Sequence, residues 1–117
     1  MNKAFTDLNN TQELDHAIEE SAHHPVLLFK HSLTCPISSR AFRQFEAYLE
    51  DPNPRAAYKL ITIQEARPVS DEAALKLDVP HESPQAILVR NGKSVWTASH
   101  FDITAESLRE VIDANTK

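Results

Sequence analysis

The sequence predicts an α/β fold in which a four-stranded mixed β-sheet is flanked by helices on both faces. Apolar runs typical of buried strands alternate with segments of helical periodicity, and this order favours parallel crossover connections. The pair Asn91-Gly92 separates the last two strand-like runs and indicates an antiparallel hairpin. The only cysteine, Cys35, follows the first strand-like run and precedes a helical pattern. The fold would therefore present a single thiol on a strand-to-helix turn.

Length and composition fit one domain spanning residues 1–117, because 41% hydrophobic residues are enough for a single core. Twelve basic and 17 acidic residues give a net charge of −5, and no basic cluster points to nucleic acid as a partner. No apolar run approaches the roughly 20 residues that span a bilayer, and no signal peptide is evident. A lone cysteine suits a reducing compartment, so we expect a cytoplasmic protein without a membrane partner. Gly92 is the only glycine, which excludes glycine-rich phosphate loops.

The first predicted elements are a helix and a buried strand. Asn10, with Glu13 three residues later, indicates a helix N-terminus, and apolar residues at helical spacing then continue until about Ser21. The apolar run at residues 26–29 shows little alternation, which is typical of a strand covered on both faces.

The second helix is predicted to begin at Pro36, since a proline in the first turn lacks an N–H that would have no partner there anyway. Residues 51–54 end this helix, and residues 58–63 indicate the second strand. Ser70, followed by two acidic residues, predicts the start of a short third helix. Those acidic residues would face the positive end of the helix dipole.

The last part of the chain predicts a hairpin and a helix. Residues 85–90 and 93–99 are the two strands around Asn91-Gly92, and Thr104 is a candidate N-cap for the final helix. The complete order of elements is the thioredoxin-like arrangement. It would place Cys35 at the carboxyl end of a central strand.

At that position, the helix N-terminus would favour the thiolate form of Cys35, because its first N–H groups lack intrahelical acceptors and the dipole favours negative charge. The backbone amides near Ile37 and Ser38, together with the Ser38 hydroxyl, are candidate donors to the sulfur. Ser38 fits equally well as a small polar residue of a first helical turn. It also occupies the place of the second cysteine in a C-x-x-C pair, so the thiol can undertake only one-thiol exchange. His31, four residues before the cysteine, suits either an influence on the thiol or a structural role at the strand end.

Pro84 is the second element of the predicted site. Thioredoxin-like folds carry a cis-proline before the third strand, facing the active-site cysteine, and the Ser83-Pro84 bond fits that position. A cis bond there would present the backbone of Ser83 to an extended thiol substrate, which could pair with it as an added strand. The alternative is a trans-proline that begins an edge strand.

The segment from Thr34 to Ser38, Thr-Cys-Pro-Ile-Ser, resembles the active-site motif of the monothiol bacilliredoxins. His-Glu-Ser-Pro-Gln at residues 81–85, and segments within residues 91–100 and 103–106, are similar to the same family. The resemblance spans residues 10–114. It implies a cytoplasmic thioredoxin-fold enzyme that removes bacillithiol from protein mixed disulfides, with Cys35 as the nucleophile. Its partners would be bacillithiol as co-substrate and bacillithiolated proteins, with no permanently bound cofactor. The residues that we expect to contact the substrate are Thr34, Pro36, Ile37, Ser38, Ser83 and Pro84.

Three other functions remain open from the sequence. Cys35 could be modified by bacillithiol during oxidative stress in a non-catalytic redox sensor. It could share an iron–sulfur cluster with a second copy and a small thiol. An arsenate-reductase-like reaction would need basic residues close to the thiol, whereas Arg40 and Arg43 lie one to two turns into the helix.

Other side chains are assigned by default to packing or solvent. The histidines lack the spacing of a structural zinc site, so no metal is predicted. Lys30, Arg40 and Arg43 could attract the carboxylates of bacillithiol, but we do not place them in the site. The aromatic residues expected to pack in the core or the hairpin are Tyr48, Tyr58, Trp96 and Phe101.

Overall fold

The structure, a computed structural model, describes residues 4–116. Four helices are α1 (Thr11–Glu20), α2 (Pro36–Tyr48), α3 (Arg67–Leu77) and α4 (Ala105–Ala114). The strands are β1 (Thr6–Asp7), β2 (Val26–His31), β3 (Ala57–Thr62), β4 (Gln85–Arg90) and β5 (Lys93–Ser99). A 3₁₀ turn at His100–Asp102 connects β5 to α4. The mixed sheet has the order β1-β3-β2-β4-β5, so β2 lies at its centre.

The sheet has five strands, so the predicted number of four was wrong by one. The additional strand β1 is two residues long and pairs in parallel with β3 at Lys59 and Leu60. The N–H of Leu8 continues this edge and donates to the Leu60 carbonyl at 2.9 Å. A two-residue strand is too short to show any alternation, and only pairing with β3 makes it a strand.

Strand β2 is buried along its whole length, which confirms the prediction that it is covered on both faces. It pairs in parallel with β3 and antiparallel with β4. Leu28 and its neighbours on one face belong to the core beneath α1 and α3. Phe29 on the other face packs in the core beneath α2 and α4, where its ring stacks on Phe45 at 4.9 Å. The carboxyl end of β2 is thereby fixed in the middle of the molecule.

Helix α3 begins at Arg67, three residues before the predicted start. Pro68 lies in its first turn, where a proline is well tolerated. Asp71 therefore lies beyond the first turn, which contains no acidic residue, and the predicted interaction with the helix dipole was wrong. Ser70, taken as the start of the helix, is instead a buried residue on its inner face.

The predicted hairpin and final helix are confirmed. Asn91 and Gly92 both have positive φ angles, 56° and 76°, as a two-residue turn of type I′ requires. The N–H of Gly92 donates to the hydroxyl of buried Ser21 at 2.8 Å, which ties the hairpin tip to the end of α1. Thr104 caps α4 in a reciprocal capping box with Ser107. Within residues 4–116 no helix is long and apolar enough to cross a membrane.

Candidate active site

Cys35 is the N-cap residue of α2 and follows the carboxyl end of β2. Its side chain is partly buried, and its backbone is extended, with φ −107° and ψ 120°. The N–H of Ser39 donates to the Cys35 carbonyl at 3.1 Å and closes the first helical turn. Because Pro36 has no N–H, the first free donors of this helix are the amides of Ile37 and Ser38. A thiolate on Cys35 would therefore face the positive end of a 13-residue helix.

Ser38, the residue in place of a second cysteine, is fully buried and hydrogen-bonded on both sides. Its hydroxyl accepts the N–H of Ser32 at 2.8 Å and lies 2.8 Å from Nδ1 of His31. The tautomer of His31 decides which of these two groups donates the proton, since a serine hydroxyl can donate one hydrogen bond and accept two. The hydroxyl thus connects the start of α2 to the end of β2.

His31 is a largely buried ring at the end of β2. Burial lowers the pKa of His31, against a smaller opposing effect of Glu46. The ring stacks on Phe42 with a centroid separation of 4.7 Å and an interplanar angle of 19°. A neutral imidazole can accept the Ser38 proton at Nδ1. Of the two roles predicted for His31, the structure supports the structural one at the strand end.

The loop before the cysteine is held by Gln64, a residue that the sequence analysis did not identify. Its Oε1 accepts the N–H of Leu33 at 3.0 Å, and its Nε2 donates to the hydroxyl of Ser32 at 2.9 Å. Gln64 follows the carboxyl end of β3, which runs parallel to β2. The carboxyl ends of adjacent parallel strands lie at the same edge of a sheet. The position of Gln64 after the second predicted strand could therefore have indicated that it lies near the cysteine loop. Thr34 in the same loop is exposed, as is Pro36, whereas Ile37 is half-buried.

The Ser83-Pro84 peptide bond is cis, as predicted. Pro84 directly precedes β4, and Gln85 is paired with Lys30 of β2. The antiparallel register therefore brings Pro84 beside the end of β2 from which the cysteine loop departs. The Pro84 carbonyl accepts the N–H of His100 at 3.2 Å. The Ser83 hydroxyl is buried and has no hydrogen-bond partner within residues 4–116.

A second polar cluster, which includes buried Lys30, contacts the loop before this proline. Lys30 has 0% exposure, so the idea that it attracts carboxylates of a ligand was wrong. Its ammonium lies 3.2 Å from Nδ1 of His81, and the Ser70 hydroxyl lies 3.4 Å from the same nitrogen. Burial lowers the pKa of Lys30 to about 8, although nearby Asp71 opposes that effect. Burial and the Lys30 charge likewise lower the pKa of His81.

The rim of the site carries exposed apolar side chains. Leu33, two residues before the cysteine, is 55% exposed, and Phe101 in the 3₁₀ turn is 60% exposed. The Arg40 guanidinium lies 5.4 Å from the Phe101 ring centroid. Phe101 therefore contacts a surface cation, and the prediction that it packs in the core or the hairpin was wrong. By contrast, Tyr48 and Tyr58 are buried as predicted, with their hydroxyl oxygens 2.7 Å apart.

Comparison with known proteins gives a family match over residues 6–108, to the monothiol bacilliredoxin BrxC family. The chain belongs to the monothiol bacilliredoxin family. A solved structure described as a suspected oxidoreductase with a thioredoxin fold is 36% identical, and the match covers 92% of each chain with a TM-score of 0.80. This agrees with the resemblance that the cysteine motif and the His-Glu-Ser-Pro-Gln segment indicated.

More distant structures establish the thioredoxin fold. Thioredoxin from Fasciola hepatica is 20% identical, with a TM-score of 0.74, and the match covers 96% of this chain and 100% of that one. Thioredoxin from Malassezia sympodialis is 11% identical, with a TM-score of 0.79 and coverage of 99% and 94%. Family and fold together support a thiol redox role for this bacilliredoxin family member.

Residues 4–116 contain no cluster of three or more histidine, cysteine or acidic residues suited to hold a metal ion.

Proposed function

We propose that the protein is a monothiol thiol–disulfide oxidoreductase that removes bacillithiol from protein mixed disulfides. The observation that carries the proposal is the single thiol at the N-terminus of α2, beside a buried serine that takes the place of a resolving cysteine. The family match supports the same chemistry. We expect the reaction to take place in the cytoplasm, with bacillithiol as co-substrate and no resident cofactor.

In the first step, the Cys35 thiolate attacks the bacillithiol sulfur of the mixed disulfide. A new disulfide forms between Cys35 and bacillithiol, and the bond between bacillithiol and the protein substrate breaks. The substrate leaves as a thiolate and takes up a proton from solvent. The amides of Ile37 and Ser38 stabilise the attacking thiolate before the bond forms. The backbone of Ser83, before the cis-proline, pairs with the extended substrate and aligns its sulfur for attack.

In the second step, an external thiolate attacks the bacillithiol sulfur of this adduct. With bacillithiol as the reductant, the product is bacillithiol disulfide, and Cys35 is released as a thiolate. The net reaction converts one protein mixed disulfide and one bacillithiol into a protein thiol and bacillithiol disulfide. The two electrons that reduce the substrate's disulfide bond are balanced by formation of the disulfide bond between the two bacillithiol molecules. The chain has no second cysteine, so the resolving thiol must come from outside.

The test is turnover of a bacillithiolated protein by wild type and by Cys35→Ser, with bacillithiol or glutathione as reductant. We expect many turnovers with bacillithiol, a Cys35 adduct by intact mass, and no activity in the variant. One stoichiometric adduct without turnover would show that the protein is a redox sensor. Equal turnover with both reductants would overturn the preference for bacillithiol while leaving monothiol exchange intact.

A further inference from the structure

The amine of Lys30 is the buried charged group that the proposed reaction does not use. Lysine is almost never fully buried unless its charge has a partner. Here the side chain has 0% exposure and leaves the central strand on the face covered by α1 and α3, the face that also carries Leu28. The group that pairs with the amine therefore indicates what Lys30 does.

That partner belongs to the loop that leads into the cis-proline. Lys30 Nζ is 3.2 Å from Nδ1 of His81, which lies three residues before Pro84. Ser70 of α3 approaches the same nitrogen at 3.4 Å. Outside this contact, His81 is an exposed residue of the loop. The hydrogen bond from Lys30 thus ties an otherwise exposed loop to the central strand.

A second contact holds the same loop one residue earlier. Gln85, directly opposite Lys30 in the β2–β4 register, donates from Nε2 to the carbonyl of Pro80 at 3.1 Å. Its Oε1 is buried and has no hydrogen-bond partner within residues 4–116. Two neighbouring buried side chains therefore hold Pro80 and His81. The backbone of Ser83 follows two residues later.

The charges around the pair define the conditions in which this hydrogen bond exists. Asp71 of α3 favours the ammonium form of Lys30. Asp71 and Glu82 favour protonation of His81, whereas Lys30 and Arg67 oppose it, and burial lowers the pKa of both partners. Between the two pKa values an ammonium donates to a neutral imidazole, which is a charge-assisted bond. In more acidic solution both groups are positive, and in more alkaline solution the amine is neutral and the bond weakens.

We propose that Lys30 is a positioning residue for disulfide exchange, because it holds His81 and thereby fixes the Ser83 backbone on which an extended disulfide substrate aligns. This rests on the proposed function only in giving the Ser83 backbone a role in substrate alignment. Lys30 does not touch the reacting atoms. Its loss should impair exchange with substrates that carry a peptide backbone and spare exchange with small disulfides.

The test compares two disulfides in single-turnover reactions with reduced protein. One is a peptide whose cysteine carries a disulfide-linked small thiol, and the other is a small aromatic disulfide without a peptide backbone. In each case the Cys35 thiolate forms a disulfide with one sulfur, and the other sulfur leaves as a thiolate. Both reactions need the Cys35 thiolate, so the fraction of thiolate affects both rates equally. The ratio of the two rates therefore reports only how well the peptide substrate is aligned.

The variant is Lys30→Met, and the matched control is Lys59→Met on neighbouring β3, which removes the same charge from a lysine paired with Glu20 at 3.3 Å. We expect Lys30→Met to slow the peptide reaction about 10-fold, through a higher half-saturation concentration, since small displacements of positioning groups have effects of this size or larger. Its reaction with the small disulfide should stay within about twofold of wild type, and Lys59→Met should match wild type in both.

A pH series and a second variant separate positioning from a general loss of structure. In wild type the peptide-to-small rate ratio should fall in acidic solution, where His81 becomes protonated, and above about pH 8, where Lys30 loses its proton. In Lys30→Met the ratio should be flat. His81→Gln keeps an acceptor for Lys30 but cannot titrate, so it should preserve the ratio at pH 7 and lose the acidic decline.

Two results would overturn the proposal. Equal slowing of both disulfides in Lys30→Met would show that Lys30 acts on the thiol itself, and wild-type rates would show that it has no role in exchange. The single-turnover rates do not depend on bacillithiol. Failure of bacillithiol-driven turnover would therefore count against the proposed function while leaving the role of Lys30 separately measurable.

Discussion

Replacing Lys30 by methionine should stabilise the folded protein at neutral pH. Burial lowers the Lys30 pKa from 10.5 to about 8. Since one pKa unit corresponds to about 1.4 kcal/mol, keeping the amine charged in the folded state costs at most about 3 kcal/mol. The charge-assisted hydrogen bond to His81 offsets roughly 1.5 kcal/mol of this cost. We therefore expect a gain of about 1–2 kcal/mol in the free energy of unfolding, as for other buried ions replaced by apolar residues.

The pH dependence gives the sign of this effect. Between about pH 8 and pH 10.5 the unfolded chain still binds the Lys30 proton, whereas the folded wild type has released it. Wild-type stability therefore rises with pH across this range through this group. The advantage of Lys30→Met should be complete below about pH 8 and disappear near pH 10.5.

Urea unfolding of wild type, Lys30→Met and Lys59→Met, followed by circular dichroism at pH 7 and pH 10, measures these differences. Lys59→Met controls for the loss of one positive charge, because its partly exposed ion pair with Glu20 should contribute less than about 1 kcal/mol. A Lys30→Met protein that is less stable than wild type at pH 7 would refute the reasoning. So would a gain that does not change with pH.

Three other substitutions test the site and the core. Ser38→Ala leaves buried His31 Nδ1 without its hydroxyl partner, and we expect a loss of about 1–3 kcal/mol in urea unfolding; an unchanged midpoint would contradict the hydrogen-bond assignment. Gln64→Ala removes the acceptor of the Leu33 N–H in an exposed loop, so the free energy of unfolding should change by less than about 1 kcal/mol. The half-saturation concentration for a peptide mixed disulfide should rise in saturation kinetics. Phe45→Ala removes a fully buried ring and should cost about 3–5 kcal/mol in thermal or urea unfolding, and a smaller loss would mean that the core collapses around the cavity.

The sequence predicted the elements that present the thiol. Periodicity, Pro36 and the Asn91-Gly92 turn located β2, α2 and the hairpin, because each depends on neighbouring residues in the chain. The cis bond before Pro84 was expected from its place in the fold. These local signals place Cys35 after the carboxyl end of the central strand, where the structure has it.

Features that depend on distant contacts were missed. Strand β1 exists only by pairing with β3, and Gln64 reaches Leu33 across 31 positions of sequence. Lys30 was assigned to solvent because lysine usually is exposed, but its partner His81 lies 51 positions further along the chain. No pattern within one segment reports such a pair, since it exists only once the sheet has formed.

The hydrogen bonds of Ser38 also bear on how this protein could evolve. A cysteine at position 38 would restore the spacing of a dithiol enzyme, but sulfur is a weak acceptor and a poor substitute for the hydroxyl that satisfies His31 and Ser32. The new thiol would lie in a fully buried position, at the cost of the contact that joins α2 to the central strand. A cysteine at position 38 should therefore lower the stability of the fold unless residue 31 changes with it. The hydrogen bonds beneath the cysteine loop thus favour serine at position 38 independently of the redox chemistry.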